Sequence, residues 1–236
     1  MNHYKNIDKC RVCNSNNLTE VINIDAQYLS PTFVESNEEN ELSQIKVPLT
    51  VVLCDKNKNG CGLVQLKETV NPNLLYTNYF YRTSVNDTMK RDLNELVVDL
   101  QKNVKLNNQD VVVDIGANDC TMLTYFPKNT IRIGVEPAKN INWSNLDKSI
   151  KVVNNYFSKT ALMPALDGQK VKAFTCCAMF YDLDDPGSFV NDIKSLLAPD
   201  GVWCIQLSYI VLMLKNLNFY DICHEHLEYY SLRTLS

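Results

Sequence analysis

Apolar residues fall in two different rhythms along this chain, and the change of rhythm divides it. Beyond about residue 85, short apolar blocks alternate with stretches whose apolar positions recur every three or four residues. The blocks Asp110–Ile115, Ile131–Val135, Lys151–Val153, Val171–Cys177 and Gly201–Leu207 predict five buried strands. Between the last two, Phe189, Val190, Ile193, Leu196 and Leu197 form a helical stripe. Pro199-Asp200-Gly201 is expected to end that helix and turn into the fifth strand. After Ser84, the spacing of Met89, Leu93, Leu96, Val97 and Leu100 predicts a further helix. Strands joined by crossovers of ordinary length predict an α/β fold, a parallel, doubly wound, Rossmann-like sheet.

The stretch from Val111 to Leu123 carries the first candidate chemistry. Three β-branched residues run into Asp114, then Gly116, a short polar turn and an apolar segment expected to open a helix. Ligands of open α/β sheets sit outside the carboxyl ends of the strands. A glycine there lets the backbone approach a ligand closely, and Gly116 is one of seven glycines in 236 residues. One strand later, Glu136 stands in a similar place; both carboxylates suit the amine or ribose hydroxyls of a cofactor. An ordinary turn without a ligand has the same pattern, since short glycine motifs are unspecific.

Before about residue 70 the alternation is absent, and cysteines take over. Cys10 and Cys13 form a pair, and Cys54 and Cys61 form a second, wider one around the polar loop DKNKNG. Two thiolate pairs on turns suit tetrahedral Zn²⁺, and four thiolates leave no open position for chemistry, so such a site is structural. Four reduced, metal-free cysteines are the alternative. Between the pairs, Ser36 to Glu41 reads as a solvated acidic loop. Asn71-Pro72-Asn73 marks a turn. After it Tyr76, Tyr79, Phe80 and Tyr81 crowd together, a density usual in a core or a domain seam. The boundary is expected between about residues 70 and 85, giving a metal-binding module over 1–75 and an α/β domain over 76–236.

Two of the three histidines lie in Cys223-His224-Glu225-His226, about fifteen residues after the fifth strand. Histidine suits proton transfer near neutral pH, and a neighbouring carboxylate orients it or raises its basicity. A surface turn and a His-x-His metal site are the competing readings.

Charge narrows the partners. A net charge of −4 and a pI near 5.4 give no support for nucleic acid or an anionic membrane. The N-terminus lacks an apolar signal region, and the run Tyr209–Leu214 is far too short to span a bilayer. Nine cysteines without a signal point to a reducing compartment, so a soluble cytoplasmic protein is expected.

Taken together, these motifs resemble the sugar C-methyltransferases, which use S-adenosyl-L-methionine on nucleotide-linked ketosugars. That family has an N-terminal zinc-binding segment with paired cysteines ending in a stretch like Cys61-Gly-Leu-Val-Gln-Leu66. A Tyr-x-Tyr segment follows, matched by Tyr79-Phe80-Tyr81, then a cofactor strand like VVDIGANDCTML and a His-Glu-His turn like DICHEHLEYYSL. AMFYDLDDPGSFV and GVWCIQLSYIVLML are similar to one branch, and the likeness covers nearly the whole chain. It implies a class I methyltransferase sheet behind the zinc module. Cys10, Cys13, Cys54 and Cys61 would hold zinc. Asp114, Gly116, Asn118 and Asp119 would line the methionine and ribose side of the cofactor, with Glu136 on the ribose hydroxyls. Tyr81, Glu225 and His226 match the catalytic tyrosine and acid–base pair, with Tyr81 or His224 as donors to an enolate. The implied reaction is proton abstraction beside the sugar ketone, then methyl transfer to that carbon.

The chain departs from the family at three places. Cys120 stands where the motif ends in glycine, and Tyr181-Asp182 where many members carry histidine, so crowding near the cofactor and altered substrate contacts are expected. Members continue past the His-Glu-His turn with further strands and a C-terminal domain, whereas this sequence stops at Ser236, so a partial product is expected. An O- or N-methyltransferase of small molecules and a non-catalytic zinc-stabilised interaction module are the alternatives. The sugar, the methylated carbon, the nucleotide and the oligomeric state are not readable from the sequence.

Overall fold

The computed structural model describes residues 3–30, Phe33 and residues 44–236; the acidic run 36–41 lies outside them. In chain order the strands and helices are β1 (Tyr4–Asn6), β2 (Leu18–Tyr28), β3 (Lys46–Cys54), β4 (Val64–Leu66), β5 (Glu68–Val70), α1 (Pro72–Tyr76), α2 (Asp87–Asn103), β6 (Val111–Ile115), β7 (Ile131–Val135), β8 (Ile150–Val153), α3 (Lys159–Leu166), β9 (Val171–Cys177), α4 (Pro186–Leu196), β10 (Leu197–Gln206), α5 (Ile210–Asn216), β11 (Glu228–Tyr229) and α6 (Leu232–Leu235). They form two compact units, each assembled from separated stretches. The first comprises Met1–Phe80, Ala178–Gly187 and Leu207–Ser236; the second comprises Tyr81–Cys177 and Ser188–Gln206.

The second unit is built on a five-stranded, wholly parallel sheet in the order β10-β9-β6-β7-β8. The chain leaves β6 in one direction through β7 and β8 and returns on the other side through β9 and β10. That reversal makes the carboxyl end of β6 the switch point at which ligands of such sheets sit. All five residues of β6 are buried, as a central parallel strand requires. Leu93, Val97 and Leu100 of α2 pack with Val112, Met122, Leu123 and Phe126 in one core. Asn86 caps α2 by accepting from the Met89 amide.

Two expectations need correcting. The segment after β6 does not open an α-helix; it makes a 3₁₀ turn over Met122–Tyr125. Pro127 disfavours helical backbone at Phe126, and the Asp119 carboxylate binds the Thr121 amide and hydroxyl, so no longer helix has room. Nor do Pro199-Asp200-Gly201 separate helix from strand. β10 begins at Leu197, directly after α4, and these residues lie within an irregularity of its register between Leu197 and Val202.

The first unit is antiparallel. Its sheet runs β11-β4-β3-β2, and β1 pairs with β5. Leu49, Val51, Leu66, Met213, Leu227 and Tyr229 form one core, so the last thirty residues complete a unit begun by the N-terminus. Asn71-Pro72 is a helix start rather than a bare turn: Asn71 caps α1 and Pro72 occupies its first turn. Among the described residues, no helix is long and apolar enough to cross a membrane.

Cys120, the residue expected to crowd its surroundings, has left-handed backbone (φ 63°) and is fully buried. Its thiol occupies the space a side chain at Gly134 would need: a Cβ there would meet Cys120 Sγ at 2.7 Å and Ala117 Cβ at 3.0 Å. The glycine on β7 makes room for the cysteine on the loop. Gly134→Ala is therefore expected to destabilise the protein by about 1–3 kcal/mol, and Cys120→Gly in the same chain to recover part of that loss. Denaturant unfolding of the single and double variants checks this. Equal stability of Gly134→Ala and the native chain would contradict it.

Candidate active site and metal centre

The four N-terminal cysteines converge although their spacings differ. Cys10 to Cys13 is a turn closed by the Asn14 amide donating to the Cys10 carbonyl, with Asn14 in left-handed backbone. Cys54 ends β3, and six residues lie before Cys61. Asp55 folds that loop by accepting from the Asn57 amide, and the Gly62 amide donates to the Cys54 carbonyl. Gly60 is obligatory there, since a Cβ would stand 2.7 Å from both the Cys54 sulfur and the Asp55 carbonyl oxygen. The sulfurs of Cys10 and Cys61 are 3.7 Å apart, those of Cys13 and Cys54 3.5 Å, and all four lie within 4.8 Å of one another. Tetrahedral zinc with bonds of about 2.3 Å needs sulfurs about 3.8 Å apart. The donor set fits. Burial works against the Cys13 thiolate, but the Ser15 amide and the neighbouring thiols outweigh it and bring its thiol down to about 7. Burial raises Cys54 and Cys61, so a dication is what makes the set of thiolates stable.

The cofactor candidates meet at the carboxyl ends of β6 and β7. Three of the five residues from Gly116 to Cys120 are left-handed: Gly116 (φ 71°), Asn118 (φ 49°) and Cys120. The amides of Gly116 and Ala117 both donate to the Val135 carbonyl, which folds the turn over the end of β7. Glu136 is buried there, and its two oxygens accept from the Asn118 and Ala138 amides at 2.8 Å each. Burial raises this carboxyl, opposed by those amides and by Arg82. Each oxygen keeps a lone pair for a ligand hydroxyl.

Asn118 and Asp119 do local work as well. Asn118 accepts from the Thr83 amide and donates to the Tyr81 carbonyl, while Asp119 accepts from the Ser84 amide. Together they pin the segment 81–84 to the turn. Burial works against the Asp119 carboxylate, but Thr121 and Ser84 hold it below the usual range. The Tyr81 hydroxyl is shielded from solvent and has no hydrogen-bond partner among the described residues. Asp114 points inside the sheet, where the Thr175 hydroxyl donates to it at 2.7 Å. Burial, with the charge of Glu136 adding and Thr175 opposing, pushes its carboxyl up to about 7.

The His-Glu-His turn belongs to the first unit, and its residues take different roles. His226 Nδ1 is 2.7 Å from the Asp221 carbonyl, which only accepts, so Nδ1 carries a hydrogen and, in the neutral ring, Nε2 carries the lone pair. The ring meets Tyr181 edge to face at 4.5 Å. Glu225 accepts from Ser30 and Tyr79 rather than from His226. Burial raises its carboxyl, and the charge of His226 lowers it. The carboxylate thus acts on the imidazole through its field, while the Asp221 carbonyl sets the ring. His224 lies elsewhere, in the core of the first unit. It is buried with Nε2 3.0 Å from the Val47 carbonyl, and burial lowers its pKa, so its single N–H is spent on β3. The two histidines face different backbone groups, which does not make a His-x-His metal site.

Sequence reasoning missed several neighbours. Thr175 holds Asp114, Asn154 donates to the Glu136 and Ala138 carbonyls, and Ser30, Tyr79 and the Asp221 carbonyl hold the turn. Asp182, where the resemblance expects a histidine, has one oxygen shut off from solvent without a partner. Burial and then the charge of Glu225 raise its carboxyl, opposed by the Tyr76 hydroxyl. Thr175, Asn154 and Ser30 carry no periodic or motif signal of their own, whereas Tyr79 and Asp182 lie in segments the resemblance marks without showing what they contact.

Residues 10–76 match the family Methyltransf_13, described as "Putative zinc binding domain". Over 235 residues, 97% of the chain, the sequence is 28% identical to the C-methyltransferase NovU of Streptomyces niveus. The chain spans about half, 54%, of that relative's length. Among solved structures, the plantazolicin methyltransferase BpumL with SAH aligns over 61% of this chain and 58% of its own (TM-score 0.48, 14% identity). A complex titled DhpI-SAM-HEP aligns over 65% of this chain and 78% of its own (TM-score 0.41, 10% identity).

The raised carboxyl of Asp114 gives a pH signature. The folded protein keeps a proton near pH 7 that the unfolded chain gives up near pH 4, so stability falls as pH rises through that window. Asp114→Asn is expected to flatten this fall and to exceed the native chain in stability at pH 8 by on the order of 2–4 kcal/mol. Chemical denaturation between pH 4 and pH 8 measures it. A parallel fall in both proteins would contradict the assignment.

Proposed function

We propose that this chain, a member of the S-adenosylmethionine-dependent C-methyltransferase family, methylates a carbon of a nucleotide-linked ketosugar. The observation that carries the reading is His226, whose Nδ1 is fixed by the Asp221 carbonyl so that Nε2 is free to accept a proton. In this reading His226 Nε2 takes the proton from the carbon beside the sugar ketone. Glu225, held by Ser30 and Tyr79, stabilises the imidazolium that results. The Tyr81 hydroxyl, without a hydrogen-bond partner among the described residues, is favoured as the donor for the enolate oxygen over His224, whose Nε2 lies against the Val47 carbonyl.

S-adenosyl-L-methionine supplies the electrophilic sulfonium methyl, and zinc supplies folding energy rather than chemistry. Gly116 lets the backbone approach the cofactor, and Glu136 presents a lone pair from each oxygen to the ribose hydroxyls. Asn118 and Asp119 contribute by holding the turn and the segment that carries Tyr81. Cys10, Cys13, Cys54 and Cys61 would hold zinc through four sulfurs, which would leave no position for substrate. Aligning base and acceptor carbon saves the entropy of bringing them together, the larger part of what positioning residues offer.

The proposal is tested by incubating the zinc-loaded chain with a nucleoside-diphosphate ketosugar in deuterated water, without methyl donor. The α-carbon is expected to exchange its hydrogen, and His226→Ala to slow exchange by about 10²–10⁴-fold. Exchange that survives the substitution would remove His226 as the base. Absence of exchange in the native chain would favour transfer to oxygen or nitrogen, or a module that binds without catalysis.

A further inference from the structure

Arg11 is the most heavily engaged cation of the first unit, and the reading above gives it no task. It directly follows Cys10, and its side chain is 2% exposed. Its Nη1 donates to the Leu66 carbonyl and its Nη2 to Thr69 Oγ1, both at 2.6 Å. Its own amide donates to Gln65 Oε1 at 3.2 Å. The guanidinium therefore ties the first cysteine turn to β4 and β5. Its remaining edge turns to acid: Nε lies 3.7 Å from Glu228 Oε1 and 3.8 Å from Asp184 Oδ1.

Glu228 is the first residue of β11, two positions after His226, and its side chain is wholly buried. Neither carboxyl oxygen has a hydrogen-bond partner among the described residues, which leaves Arg11 as its counter-charge. Glu228 stands directly opposite Gln65 in the β4–β11 ladder, so the residue that receives the Arg11 amide also registers the strand behind the turn. The turn itself is clamped on both sides of Leu227. The Leu66 amide donates to the Leu227 carbonyl at 2.9 Å, and the Leu227 amide to the Tyr181 carbonyl at 2.8 Å. A continuous line of contacts runs from Cys10 through Arg11 to Leu66, Glu228 and the backbone beside His226.

We propose that the buried Arg11–Glu228 pair is a strut through which the four-cysteine centre fixes the position of the His-Glu-His turn. It rests on the reading of His226 as the base, and it makes Arg11 and Glu228 positioning residues for that base. The physical reason lies in the asymmetry of buried ion pairs. Removing one partner strands the other charge without water, whereas replacing both is tolerated. The strut therefore sets position more than it adds net stability. Lysine at position 11 keeps the charge but cannot donate to β4 and β5 from one rigid fork while setting that charge beside Glu228.

The test needs neither methyl donor nor sugar, so it can fail while the reading of the reaction stands. The full chain is loaded with Co²⁺ in place of zinc. The cobalt spectrum reports tetrahedral thiolate geometry, and the pseudocontact shift of the His226 ring reports where that ring sits relative to the metal. Arg11→Met combined with Glu228→Gln is expected to keep the tetrahedral spectrum and the folded state while His226 loses its single, sharp shift. Glu228→Gln alone, which keeps shape and removes the charge, is expected to reduce the shift and speed exchange of the Leu227 amide. An unchanged His226 shift in either folded variant would overturn the proposal. So would a native chain in which His226 shows no defined shift.

Discussion

The carboxyl end of the parallel sheet depends on one constraint, the left-handed turn from Gly116 to Cys120 at the end of the central strand. Left-handed backbone is costly for residues other than glycine, and two of its three left-handed positions are asparagine and cysteine. The surroundings over-determine it. Val135 accepts two of its amides, Glu136 accepts a third, and Gly134 leaves space for the cysteine thiol. The same bonds that enforce the turn place Glu136 at its rim and order the segment leading to Tyr81. Local strain and the placement of Glu136 thus have one origin.

The first unit solves a different problem, that of a small antiparallel sheet whose outer strand β2 is exposed along most of its length. Such a unit gains little from its core, and the converging cysteine turns supply cross-links that apolar burial does not. The return of the last thirty residues to complete it is the other part of the solution. β11 adds a strand, and Met213, Leu227 and Tyr229 add to the core. The turn carrying His226 is thereby held between two hydrogen-bonded neighbours instead of hanging as a loop.

Much of the α/β sheet was legible because its signal is local. β7 and β9 have the predicted bounds, and β6 and β8 differ by one residue, since buried parallel strands are short blocks of β-branched residues. The helix expected after Asp119 failed because side-chain contacts and Pro127 outweigh an apolar run. The tenth strand starts early because an irregular register absorbs Pro199, Asp200 and Gly201, which in isolation read as a terminator. In the first unit, the alternation of β2 is weak because nearly all its residues face solvent, and nothing local marks residues 207–236 as partners of β4. The histidines illustrate the limit for sites. Two residues apart and chemically identical, they differ because one meets the Val47 carbonyl in the core and the other the Asp221 carbonyl beside Tyr181. The cysteine set was readable as a list, while its convergence depends on Gly60 and on the bend that brings Cys61 back to Cys54.

Calorimetric titration of the folded, zinc-loaded chain with S-adenosyl-L-methionine, with Gly116→Val as control, measures whether the left-handed turn forms a cofactor site. Saturable one-to-one binding is expected, abolished by the substitution while circular dichroism stays unchanged, because valine tolerates neither the left-handed backbone nor the close approach. No binding by the native chain, or equal binding by a folded Gly116→Val chain, would contradict it.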